Sequence, residues 1–165
     1  MRPSIGTSGP TGRARPEPVD FRDYDTRLAA YALLFDDEGR LLLALWNEKP
    51  QRLWTLPGGG VDLHETAAEA AVREAREETG YEIELLRLLG VDSFVVPGKE
   101  RAERGGRPLK SVRVVFEGRV VAGELANEAD GTTDEARWFP LAEVPELPRV
   151  QLVDAALALL RAARQ

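Results

Sequence analysis

The stretch from Glu65 to Gly80, ETAAEAAVREAREETG, constrains this chain more than any other part of it. Thr66 followed three residues later by Glu69 forms a capping box that satisfies orphan N–H groups, and Gly80 supplies a C-terminal stop, so the spacing predicts a helix closed at both ends. With Ala67 placed at zero and about 100° per residue, Ala67, Ala68, Ala71, Val72, Ala75 and Thr79 fall between about 0° and 140°, a stripe of mostly small side chains suited to close packing on a sheet. Arg76 and Glu69 lie opposite, at about 180° to 200°, where solvent should be. Glu77, Glu74 and Glu78 come at about 280°, 340° and 20°, so three carboxylates share one flank and Glu78 overlaps the buried stripe. Like charges at helical spacing repel, and burying one without compensation costs several kcal/mol, so a positive charge must sit among them. Arg73 can pair with Glu77 four residues on. The remaining carboxylates suit a hard divalent cation, Mg2+ with Mn2+ as a substitute, because such ions take oxygen ligands and are shared readily with substrate phosphates. A solvated acidic helix face is the alternative reading of this segment taken alone.

Just before the helix, LPGGGVDLHE breaks regular structure at Pro57 and three successive glycines, which lets backbone approach a ligand closely. LAAYALLF (28–35) and LLLALW (41–46) are apolar runs separated by DDEGR and read as a hairpin of two buried strands. LWTL (53–56) is a further short segment. After Tyr81, EIELLRLLGVDSFVV and LKSVRVVFEGRVV read as two more strands, separated by the polar loop PGKERAERGGRP. The acidic loop NEADGTTDE (127–135) leads into a short strand, ARWF, that ends at Pro140. From Pro148 onward, Val150, Leu152, Val153, Leu157, Leu159 and Leu160 predict a terminal amphipathic helix. Strands on both sides of a central helix, with a second helix at the end, indicate an α/β sandwich with a mixed sheet. Residues 1–20, rich in Pro, Gly, Ser and Thr, read as a flexible leader without chemistry, and residues 21–165 as a single domain.

Composition narrows the function classes. The 165 residues suit one domain with a core that needs no covalent staple. Cysteine is absent, which excludes thiolate catalysis, a disulfide framework and Cys-ligated metal, and accords with a reducing cytoplasm. No apolar run reaches the roughly 18 residues that a membrane span requires, and the N-terminal residues carry no apolar core of a secretory signal. A net charge of −6 disfavours binding to nucleic-acid backbones, so phosphates would be met by a local basic cluster or by bound cations.

Gly59, then Glu65, then Arg73-Glu74-Ala75-Arg76-Glu77-Glu78-Thr79-Gly80-Tyr81 resembles the Nudix box position for position. A random start would match its fixed letters with a probability of roughly 10⁻⁷. Ala75 is small for the first aliphatic slot and Tyr81 is aromatic at the last. The LPGGGV entry and the RWFPLAEVPEL ending are similar to the same family. The resemblance implies a Nudix-type α/β/α sandwich and a metal-dependent hydrolase cleaving a diphosphate linkage in a small nucleotide substrate. It implies Glu74, Glu77, Glu78 and the Gly59 backbone as metal ligands, with Glu65 and Arg73 holding loop and helix in register. It also suggests a homodimer paired through the sheets. A Nudix-fold module that senses a nucleotide without chemistry is the rival, but such modules typically lose box carboxylates that this chain keeps.

The proton acceptor is open among Glu128, Asp130, Asp134, Glu135 or none of them, and His64 occupies a free position of the box. For the substrate, Lys99, Arg101, Arg104, Arg107 and Lys110 form a basic loop that could meet phosphates, or serve only solubility. Trp46, Trp54 and Phe94 are base-stacking candidates, with a core role as the alternative. Pro97, sixteen residues beyond Tyr81, is close to where ADP-ribose-cleaving members of the family tend to carry a proline. That placement favours a nucleotide sugar or ADP-ribose over a nucleoside triphosphate.

Overall fold

The computed structural model describes residues 17–47, 51–126 and 133–165, with only the backbone given at Thr133 and Asp134. The leader reading for residues 1–16 lies outside the described residues. Among the described residues, seven strands and two α-helices follow one another as β1 (Asp25–Leu34), β2 (Leu41–Trp46), β3 (Leu53–Thr55), β4 (Gly58–Gly60), α1 (Ala67–Thr79), β5 (Tyr81–Val96), β6 (Leu109–Gly123), β7 (Thr133–Phe139) and α2 (Gln151–Ala163).

The strands form two sheets, a mixed one in the order β4-β1-β6-β5 and an antiparallel one in the order β3-β2-β7. This corrects the hairpin reading of β1 and β2. The turn at 36–40 forms, but only Phe35 and Leu41 bridge across it. β1 already pairs with β4 on one side and β6 on the other, so it has no free edge to offer β2. β2 is buried over most of its length and β1 over most of its second half, where each has a layer on either face.

Alternation along β1 sorts the core into two layers. Ala30, Ala32 and Leu34 face α1, where Ala70, Ala71 and Ala75 let the helix lie close. Leu33 and Val115 face the other way and join Leu41, Leu43, Trp54, Phe139 and the α2 residues Leu152, Val153, Ala156 and Leu160. Each fully buried leucine or valine contributes roughly 1.5–3 kcal/mol. The outcome is the α/β/α sandwich expected from the sequence, with α1 outside one face of the mixed sheet and α2 on the opposite side.

Candidate active site

The predicted helix forms, and both of its ends are closed by the expected residues. The Thr66 hydroxyl accepts from the Glu69 N–H at 3.2 Å and the Glu69 carboxylate accepts from the Thr66 N–H at 2.7 Å. Gly80 takes the left-handed conformation, with φ 74°, and its N–H donates to the carbonyl of Arg76. A side chain there would collide with the Glu124 carbonyl at 2.5 Å, so glycine is required by space as well as by conformation.

The glycine run before the helix is a strand, which the sequence reading did not anticipate. Gly58, Gly59 and Gly60 pair antiparallel with Tyr31, Ala30 and Ala29, which makes β4 an outer edge of the mixed sheet. The carboxylate flank of α1 lies along this edge. A Cβ on Gly59 would sit 2.7 Å from Cδ of Glu74, so the missing side chain is the space the Glu74 carboxyl occupies. Glu78, only 3% exposed, accepts from the Gly58 N–H at 2.9 Å. Glu77 is on the outside of the flank, its side chain 49% exposed.

Arg73 is the positive charge that the flank requires. Its Nη1 donates to Glu74 at 2.9 Å and to Glu77 at 3.1 Å, while Nη2 donates to Glu65 at 2.6 Å and to the Gly60 carbonyl at 3.1 Å. One guanidinium thus ties helix, loop and edge strand together. The hydrogen bonds that Arg73 donates to Glu65 raise the pKa of Arg73 above its usual value, and the same bonds, followed by that from the Asp62 N–H, hold the Glu65 carboxyl below the ordinary range. Among the described residues no three acidic groups converge as an ion cage, because Arg73 bridges Glu74 and Glu77 and Glu78 is turned on to Gly58.

The remaining site candidates divide. Trp54 is 7% exposed and packs edge-on against Phe139 at 4.7 Å between centroids, so the base-stacking assignment is corrected to a core role. Arg101 and Arg107 both donate to Asp25, at 2.9 and 3.0 Å, and these bonds hold the basic loop to the start of β1, whereas Arg104 is exposed. Phe94 is 40% exposed on the face of the mixed sheet opposite α1. His64 is exposed in the turn before the helix. Glu135 is ion-paired with Arg137. Glu128 and Asp130 lie outside the described residues, as does the side chain of Asp134. A hollow of about 520 Å³ between Phe35, Leu141, Val144 and α2 lies beyond the far end of β1 and contains none of these groups.

Sequence reasoning missed Tyr31, Arg113 and Asp92 on the sheet face opposite α1. Tyr31 is hydrogen-bonded by Arg27 and lies in the field of both Arg113 and Glu78, and burial pushes its phenol pKa up. Arg113, 8% exposed, donates from Nε to Asp92 at 2.8 Å and stacks on Phe94 at 4.6 Å from the ring centroid. The signal was available in the strict alternation of β6, where an arginine at an inward position between Ser111 and Val115 demands a partner.

The chain is similar to known proteins both in sequence and in fold. The NUDIX domain model matches residues 25–159. The chain is similar to a putative 8-oxo-dGTP diphosphatase of Bacillus subtilis, 35% identical over 73% of this chain and 74% of that protein. It is 35% identical, over 73% of this chain and 65% of the relative, to an ADP-ribose pyrophosphatase of Methanocaldococcus jannaschii. A putative mutator protein MutT4 of Mycobacterium tuberculosis is also 35% identical over 73% of this chain, which spans only 42% of that relative's length. Among solved structures, a MutT NUDIX hydrolase from Burkholderia pseudomallei superposes with a TM-score of 0.65 at 30% identity, covering 82% of this chain and 98% of that one.

Proposed function

Because the chain belongs to the NUDIX domain family, we propose that it is a Mg2+-dependent hydrolase that cleaves the diphosphate linkage of a nucleoside diphosphate joined to another moiety. A nucleotide sugar or ADP-ribose is favoured over a nucleoside triphosphate, on the position of Pro97 and the relative named as an ADP-ribose pyrophosphatase. The observation that carries the reading is the packing of the Glu74, Glu77 and Glu78 flank against the β4 edge, with the Gly59 Cβ position filled by the Glu74 carboxyl. Nudix hydrolases generally use divalent metals and act on small nucleotide substrates. The donors here fit such an ion in kind: three carboxylates and a glycine carbonyl, all hard oxygens, beside a backbone with no side chain to obstruct them. Glu74, Glu77, Glu78 and the Gly59 carbonyl would hold it, once Arg73 releases Glu74 and Glu77. When bound, such an ion would supply positive charge beside the diphosphate oxygens and would make water more acidic.

The chain's own residues supply position. Glu78 fixes the Gly58 amide and so the height of β4 against the helix. Arg73 and Glu65 close the loop at 61–66 over the helix start. Tyr31 pairs with Gly58 one strand inward and lies within the field of Glu78.

The test is hydrolysis of a panel of nucleotide sugars, ADP-ribose, nucleoside triphosphates and dinucleotides, with Mg2+ and with chelator. Glu77→Gln should lower turnover by roughly 10²-fold or more while leaving the thermal midpoint in place, since Glu77 is exposed and Gln is an equally good helix former. Unchanged turnover removes Glu77 from the metal site. Nucleotide binding with no turnover of any compound would establish the sensing module instead.

A further inference from the structure

A row of paired residues crosses the mixed sheet from the β4 edge to β5: Gly60, Ala29, Arg113 and Asp92. It spans three strand intervals of about 4.8 Å, roughly 14 Å in all, with Arg113 about 10 Å from β4. That is the reach from a diphosphate to the base in an extended nucleoside diphosphate. Arg113 is more than nine-tenths buried and is held side-on by Asp92, which accepts from both Nε and Nη2. Nη1 has no protein partner among the described residues, yet no side-chain nitrogen that is sealed from solvent lacks a partner. The end of the guanidinium away from Asp92 is therefore an open donor edge. Beside it stands Phe94, one face against the guanidinium and 40% of its surface free.

We infer that Arg113 and Phe94 form a purine site, in which the base lies in the plane of the Arg113 guanidinium, its N7 accepts from the open edge of Arg113 and its rings overlap the same face of Phe94, with Asp92 as the residue that positions Arg113. The inference rests on the hydrolase reading only for the location of the diphosphate. A two-ring base covers more of an exposed phenyl ring than a one-ring base, and N7 is an edge acceptor that adenine and guanine share and pyrimidines lack. A buried guanidinium held by one carboxylate cannot swing away, so the donor direction is set before the ligand arrives.

The test is calorimetric titration of the full chain with AMP, GMP, CMP and UMP in the presence of chelator, with 7-deaza-AMP and inorganic phosphate as further probes. AMP and GMP should bind at least about 5-fold more tightly than CMP and UMP, and 7-deaza-AMP should lose about 5-fold or more relative to AMP, the scale of a good base contact. In Arg113→Met the difference between AMP and 7-deaza-AMP should vanish, and Phe94→Leu should weaken both purines alike. The 7-deaza comparison in the unaltered chain decides the matter even if Arg113→Met fails to fold. Equal binding of AMP and 7-deaza-AMP, binding of phosphate alone that depends on Arg113, or no nucleotide binding at millimolar concentration overturns the inference. Purine binding without hydrolysis would sink the hydrolase reading alone. Hydrolysis without purine preference would sink this one alone.

Discussion

Gly58 and Gly59 are adjacent in one short strand, yet alanine at each should fail in opposite ways. At Gly59 the added methyl would lie 2.7 Å from Cδ of Glu74, where ordinary contact begins at 3.4 Å, so the carboxyl must retreat by about 0.7 Å, the difference of those two distances. The obstacle is the end of a flexible side chain, and the backbone of Gly59 is not left-handed, so the fold should absorb the change. Loss of glycine's freedom in the unfolded chain even offsets part of any cost, by about 0.4–1 kcal/mol. Activity should not be spared, since a misplacement near 1 Å in a reacting site costs about 10²-fold in rate. We therefore expect Gly59→Ala to lose about 10- to 100-fold in kcat/KM, or roughly 1.4–2.7 kcal/mol, with a thermal midpoint within about 4 °C of the parent. At Gly58 the methyl would meet the Ala30 carbonyl at 2.3 Å and the Tyr31 Cα at 2.6 Å, both backbone, from a φ of 141° that L side chains rarely adopt. Nothing there can yield cheaply, so Gly58→Ala should be poorly folded. The assays are steady-state hydrolysis of the best substrate in the panel and thermal melting by circular dichroism. A fully active Gly59→Ala protein would refute the claim that Glu74 needs that space.

Two further outcomes follow from the same geometry. Trp54→Ala should destabilise the protein by about 3–5 kcal/mol and lower the melting temperature by about 10 °C or more, as expected of a core ring; a stable variant with weakened substrate binding would restore Trp54 to the substrate site. Arg73 depresses the Glu65 carboxyl below its ordinary value of 4.5, so the stability from this pair is complete above about that pH and is lost as pH falls through the lower folded value. Melting temperatures from neutrality down to about pH 3 should therefore fall more steeply in the parent than in Arg73→Met, and parallel curves would show that the pair is energetically silent.

The helix was legible in the sequence almost to the residue, because its caps, its small-residue stripe and its carboxylate flank are all local signals at helical spacing. Glu78 is buried, as its overlap with the apolar stripe required, and Arg73 takes up the charge. Where pairing depends on residues far apart in the chain, local pattern failed. β1 and β2 look like a hairpin because only six residues join them, but strand pairing is decided by β6, which arrives about eighty residues later and claims the edge of β1. Trp54 and Phe94 looked equivalent as aromatics beside strands; only the layer each faces separates a core ring from an exposed one. Arg101 and Arg107 resembled free cations because Asp25, their partner, is more than seventy residues away.

β5 is a sixteen-residue strand at the outer margin of its sheet, and Leu86, Leu88, Val91 and Val95 are exposed along it. A straight strand of that length and composition would be a template for uncontrolled growth, chain upon chain. Its ladder with β6 instead slips at Glu82/Ile83, Leu85/Arg87 and Leu88/Gly90, and each slip rotates the rim so that no stranger can follow it for more than a few residues. Two of the surplus residues at those slips, Leu86 and Val121, are exposed and contribute little to the core, and their value lies in the aggregates they prevent.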